Sequence, residues 1–197
     1  MSAAETPNKR AGALRRAVGM LLAPDRTLAA ADEPVTEREL WTGYILPLAA
    51  IGPVCEAVGL LVFGGGITGI TLKLSASGVL LGAVVDYVLT LAGVYLLAFA
   101  ISLIAPAFGG VTGRVQALKL VALAGTALWL AGIFALYPTL GFVFAVLGAM
   151  YSLYALYLGL GRLMQAPPGR SLTYFAAVLL TILLLALLFR EAASLVR

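Results

Sequence analysis

Five apolar stretches, at residues 42–63, 78–104, 117–137, 139–160 and 172–189, dictate what this chain can fold into. A helix needs about 20 apolar residues to cross the hydrocarbon core of a bilayer. Four of the stretches reach that length and the last falls slightly short. In lipid the backbone must satisfy its own hydrogen bonds, so these stretches are expected to be α-helices. Composition agrees: 62% of the residues are hydrophobic, whereas a soluble domain is roughly 45–50% apolar. The expected fold is all-α, a polytopic membrane protein with five transmembrane helices. Its organisation reads as an N-terminal region, 1–40, followed by a membrane domain, 41–197.

The N-terminal region carries its own pattern. Residues 1–8 are polar and expected to be disordered. From 9 to 23, Leu14, Val18, Leu21 and Leu22 recur at helical spacing, while Arg10, Arg15 and Arg16 lie mostly off that stripe. This is a short basic amphipathic helix suited to a membrane surface; the alternative is a solvated tail. Pro24 ends it. Asp25 can cap a second short helix through about Ala31, and Pro34 breaks the chain again. Trp41 and Tyr44 then sit where an interface would fall. The scattered basic residues and the short patch at 18–23 do not resemble a cleavable signal peptide, so the segment is expected to be retained.

Charge gives an orientation. Lys9, Arg10, Arg15, Arg16, Arg26 and Arg38 precede the first stretch. Arg114, Lys119, Arg162 and Arg170 fall on the same side. Only Lys73, Arg190 and Arg197 fall on the other. The positive-inside rule puts the N-terminus in the cytoplasm and the C-terminus outside. In a bacterium the membrane would be the inner one. The net charge of +4 then reads as contact with anionic lipid at the cytoplasmic face rather than with nucleic acid.

Residue types exclude several chemistries. The chain has no histidine, so it has no His general base, Ser-His-Asp triad or His metal ligand. Cys55 is the single cysteine and forms no internal disulfide. No catalytic residues, cofactor or metal are expected. The run Gly64-Gly65-Gly66-Ile67-Thr68-Gly69 matches G-x-G-x-x-G only in letters. It follows a membrane helix rather than a strand, and reads as a turn.

Within the apolar stretches, Glu56 and Asp86 are the only acids. A charge at mid-membrane costs about 2.5–3.5 kcal/mol or more. Counting helix rise puts both roughly 10–12 Å from the outer ends of their helices. Side by side, the two carboxylates would meet at similar depth, able to share a proton or bind a cation. Alternatively each is neutral and bonded locally, or reaches outer water; Lys73 and Arg190 are near enough to snorkel inward. Tyr151, Tyr154 and Tyr157, with Ser152, form a candidate polar stripe, whose plainer reading is helix packing. Pro47 and Pro53 should kink the first helix. Gly78 and Gly82 form a small-xxx-small pair that permits close helix approach. Only Pro138 separates the third and fourth stretches, which predicts a tight antiparallel hairpin. The 27 residues of 78–104 would reach about 40 Å at ~1.5 Å per residue, so that helix must tilt or extend past the hydrocarbon.

With the spans in order, the chain resembles a bacterial member of the YIP (Ypt-interacting protein, Yip-one domain) family over nearly its whole length. The residues that carry the resemblance are Leu21-Leu22-Ala23-Pro24 in the tail and Gly43-Tyr44-Ile45-Leu46-Pro47-Leu48-Ala49 in the first span. Ala105-Pro106-Ala107-Phe108-Gly109-Gly110 and Gln116-Ala117-Leu118-Lys119-Leu120-Val121 follow, then Tyr151-Ser152-Leu153-Tyr154 and Tyr157-Leu158-Gly159. The resemblance implies five membrane helices and a cytoplasmic N-terminus. Eukaryotic members of the family are linked to Rab-type GTPases and vesicle trafficking. Their Asp-Leu-Tyr-Gly-Pro motif is absent here, and Glu39-Leu40-Trp41-Thr42-Gly43 only echoes it, so GTPase binding does not transfer.

Two functions remain open on this reading. One is a non-catalytic membrane protein that organises lipid or recruits partners through its basic helix. The other is a small proton, cation or lipid transporter or channel built on Glu56, Asp86 and the kinked first helix. Protein partners are unspecified and self-association is open.

Overall fold

The helices begin and end at caps and breakers that the sequence supplies. The computed structural model describes residues 9–29, 35–64 and 75–194. The expectations for 1–8, for Ala31 and Pro34, for most of the glycine run, for Lys73 and for Arg197 lie outside the described residues. The described residues are overwhelmingly helical, and none of them forms a strand. Among the described residues five helices are long and apolar enough to cross a membrane.

Two short helices come first: α1 spans Lys9–Leu22 and α2 spans Pro24–Ala29. Asp25 lies in the first turn of α2, behind Pro24, rather than at its cap. They fold back on each other at Gly19, where a Cβ would come 2.7 Å from the Thr27 hydroxyl.

The first span runs Glu37–Phe63. A capping box starts it: Thr36 Oγ1 accepts the Glu39 N–H at 3.3 Å, and the Glu39 carboxylate accepts the Thr36 N–H. The helix is not regular beyond this. Trp41–Ile45 is a π-helical turn, and the ladder breaks again at Ala50, whose N–H turns to the Leu48 carbonyl. Pro47 and Pro53 lie on either side of that break; neither has an N–H to continue a ladder. Tyr87 of the second span donates to the Leu46 carbonyl at 3.1 Å, a carbonyl that the normal ladder would have paired with Ala50.

Ser75 caps the second span, its hydroxyl accepting the Gly78 N–H at 3.1 Å. The helix Ala76–Ile104 continues as a tight 3₁₀ turn, Ala105–Phe108. Gly109 ends it at φ 78°, a left-handed position that suits glycine. The Val111 N–H then reaches the Met164 carbonyl at 2.8 Å, tying this connection to the one between the fourth and fifth spans.

The third span, Arg114–Ala131, tightens into a 3₁₀ turn at Gly132–Leu136. Tyr137 is extended, and Pro138 takes the first turn of the fourth span, Pro138–Arg162, so the two helices form a closely packed antiparallel hairpin. The fifth span runs Pro168–Ser194.

The third span is the axis of the bundle. Of its most apolar window 61% is buried, against 11% for the fifth span. It touches α1 and the first, second and fourth spans; the fifth packs on the second and fourth. Small residues permit the closest approaches. Gly52 of the first span meets Gly132: a Cβ on Gly132 would lie 2.6 Å from the Gly52 Cα. One core joins the bundle to the N-terminal helices, with Ala17, Met20 and Leu28 in the same cluster as Ile45, Ile101, Leu120, Leu160, Met164, Tyr174 and Val178.

Candidate functional site at the docked N-terminal helices

The C-terminal end of α1 has a bonding deficit. In a helix the Met20 carbonyl would accept from residue 24, but that residue is Pro24 and has no N–H. The Tyr151 hydroxyl takes the place of the missing donor. It lies 2.8 Å from the Met20 carbonyl and 2.9 Å from that of Leu21, one proton shared between two acceptors. Tyr151 precedes Arg162, at the end of its helix, by about 16 Å of helical rise, so the end of α1 is inserted below the charged rim of the bundle. Arg162 in turn pairs with Asp25 at 2.9 Å. Leu28 is buried beside Gly159, where a Cβ would collide with the Leu120 side chain and lie in van der Waals contact with Leu28 at 3.5 Å.

Docking divides α1 into two apolar faces. Ala17 and Met20 are buried in the bundle, whereas Val18, Leu21 and Leu22 remain exposed, Leu22 by 81%. The outward residues belong to the stripe read from the sequence. The buried pair does not. Arg15 and Arg16 are exposed; the side chain of Arg10 lies outside the described residues.

Beneath α1 lies a buried polar contact. Tyr44 and Thr126, on the first and third spans, meet at 2.7 Å between their hydroxyls. Thr126 uses its own proton on the Ala122 carbonyl at 3.2 Å, so Tyr44 is the donor. Lys119 is 3% exposed. The charge count treats it as an interfacial lysine, yet its side chain is packed in the bundle. The apolar run around it, Leu118, Leu120 and Val121, is the signal that this helix is buried all round.

The two intramembrane carboxylates are both on the outside of the bundle. Glu56 lies on Ile51–Phe63 and Asp86 on Ala76–Ile104, and both are exposed. Their helices pack together. The three tyrosines of the fourth span meet different neighbours. Tyr151 caps α1, Tyr154 is exposed with its ring edge-on to Tyr151 at 6.1 Å, and Tyr157 lies edge-on to Phe175 at 5.4 Å. Spacing by three turns each successive residue about 60° around the helix, because three residues fall short of a 3.6-residue turn. Among the described residues no group of three or more Cys, Asp or Glu side chains is placed to hold a metal.

A second feature was not singled out from the sequence. Between the first three spans, at the end that carries α1, Glu37, Trp41, Tyr95, Ala98, Phe99 and Arg114 line a cleft of about 50 Å³. The Arg114 guanidinium lies over the Phe99 ring, 5.5 Å from its centre.

Five long apolar helices, the third of them the most buried, with two short helices docked at one end, define a multi-pass helical membrane protein. It belongs to the Yip family: the family described as Yip1 domain matches residues 18–189. The match begins within α1, so it takes in the docked Met20 and Leu28. Comparisons with curated proteins and with solved structures give no match. The Yip family is not a known enzyme family.

Proposed function

We propose that this chain is a non-catalytic membrane protein of the Yip type that organises the membrane or recruits partners through its docked N-terminal helices. The observation that carries this reading is the division of α1. Ala17 and Met20 anchor it to the bundle, while Val18, Leu21 and Leu22 face outward beside Arg15. A helix held in this way offers an apolar strip and basic charge to a bilayer surface, the combination that binds anionic headgroups. The charge distribution supports an N-terminus in the cytoplasm and a C-terminus outside; in a bacterium the membrane would be the inner one.

The test replaces the outward face and spares the buried one. In vesicles containing phosphatidylglycerol, Val18→Ser/Leu22→Ser/Arg15→Gln should reduce photo-crosslinking from the N-terminal helix to lipid and to co-purifying protein at least several-fold. Crosslinking equal to wild type would remove the basis of this reading.

A second reading, a small proton, cation or lipid transporter or channel, is favoured by one observation. The first span is broken at Ala50, less than two turns before Glu56, and Asp86 is on the helix packed against it. The two readings separate in a flux assay with Glu56→Gln/Asp86→Asn.

A further inference from the structure

The cleft between the first three spans has a chemical character of its own. Its rim holds one acid, Glu37, and one base, Arg114, both exposed. Among the described residues they form no ion pair with each other or with a third group. Two opposite charges that leave each other free beside one opening can serve a ligand that carries both charges.

The position narrows the ligand. Glu37 opens the first span and Arg114 opens the third, so the charges stand at the end of the apolar helices, where headgroups lie. The walls between them, Trp41, Tyr95 and Phe99, are aromatic side chains of the kind that favours the interface. Arg114 is held over Phe99 and keeps N–H groups for a phosphate, which guanidinium binds through paired hydrogen bonds. Gly113 gives the first turn of the third span no side-chain cap, so backbone N–H groups next to Arg114 add to the pull on an anion. Glu37 supplies the matching site for an ammonium. At about 10–15 Å³ per water-sized site, the cleft takes a few small groups rather than a whole lipid. Acyl chains would run outward over Tyr95 and Phe99, both exposed on the second span.

We propose that this cleft binds the headgroup of a zwitterionic, amine-bearing phospholipid, with its phosphate on Arg114 and its ammonium on Glu37. The inference does not depend on the recruitment reading, which concerns the outward face of α1.

Trp41 provides the probe. Trp129→Phe leaves it as the single tryptophan of the two in the chain. The full-length protein is placed in vesicles, and quenching of Trp41 by bromine-labelled phosphatidylethanolamine is compared with quenching by bromine-labelled phosphatidylglycerol. The expected result is at least a threefold preference for phosphatidylethanolamine. Glu37→Gln should abolish the preference, because the phosphate alone is then recognised. Arg114→Gln should lower occupancy by either lipid at least threefold. Unchanged quenching of Trp129 in a Trp41→Phe background, and an unchanged melting temperature, establish that each variant is folded. Equal quenching by both lipids in the parent would overturn the proposal, as would a preference that survives Glu37→Gln. Displacement of the labelled lipid by an equal concentration of glycerophosphoethanolamine would also overturn it, since the site would then take a soluble headgroup rather than a lipid.

Discussion

Removing the Tyr151 hydroxyl should loosen the N-terminal helices without unfolding the bundle. Its proton is shared by the carbonyls of Met20 and Leu21, so Tyr151→Phe removes about one hydrogen bond. A net hydrogen bond contributes ~0.5–1.5 kcal/mol, and polar contacts between membrane helices average nearer ~0.6 kcal/mol. The ring stays and the buried apolar contacts of Ala17 and Met20 stay with it. The undocked population of α1 should therefore rise roughly three- to twelvefold, at ~1.4 kcal/mol per factor of ten. Ala17→Cys in a Cys55→Ser background reports this population. Residue 17 is 3% exposed when docked, so maleimide must wait for opening. In nanodiscs, where both faces are accessible, Tyr151→Phe should speed labelling by that factor. Tyr154→Phe is the control, because Tyr154 is exposed and carries an edge-on ring contact instead of a cap. If Tyr151→Phe labels no faster than Tyr154→Phe, the capping argument is wrong.

Thr126→Val should destabilise more than Tyr44→Phe. The first leaves a buried tyrosine hydroxyl unpaired, ~1–3 kcal/mol, while the second leaves Thr126 still bonded to Ala122; equal losses of melting temperature would contradict the donor assignment. Gly132→Ala should cost about 1–3 kcal/mol, since its Cβ would sit 2.6 Å from the Gly52 backbone, and an unchanged thermal melt in detergent would show that the two helices are further apart. Arg162→Ala should change stability by less than ~1 kcal/mol, because the Asp25 pair is exposed on both sides; a larger effect at moderate salt would show that the pair holds α2 in place.

Length and apolarity made the five spans legible, because a bilayer fixes how long an uninterrupted apolar helix must be. Local chemistry placed several of their ends. Pro138 marks the hairpin, and the breaks of the first span fall among the residues around Pro47 and Pro53. The docked face of α1 was harder to see. Ala17 and Met20 are small or flexible, and they lie beside the obvious Leu and Val stripe rather than on it. Which of two apolar faces meets protein and which meets lipid depends on the bundle, because both faces are equally greasy. The burial of Lys119 was hidden for a related reason: counting charges assigns a side of the membrane and says nothing about burial. The cleft was illegible because its parts lie far apart in sequence. Glu37 and Trp41 read as the approach to one helix and Arg114 as a topological charge, and only packing of the first three spans brings them together. Glu56 and Asp86 were visible at once as acids in apolar helices, but the direction they face is a property of the assembled bundle.

The most direct test of a platform rather than a conduit is flux through purified protein in liposomes, followed with pH-sensitive, cation-sensitive and lipid-flip reporters. Wild type and Glu56→Gln/Asp86→Asn alike should give rates equal to those of empty liposomes. Flux in wild type that disappears in the double variant would contradict this and make the two carboxylates the working site of a transporter.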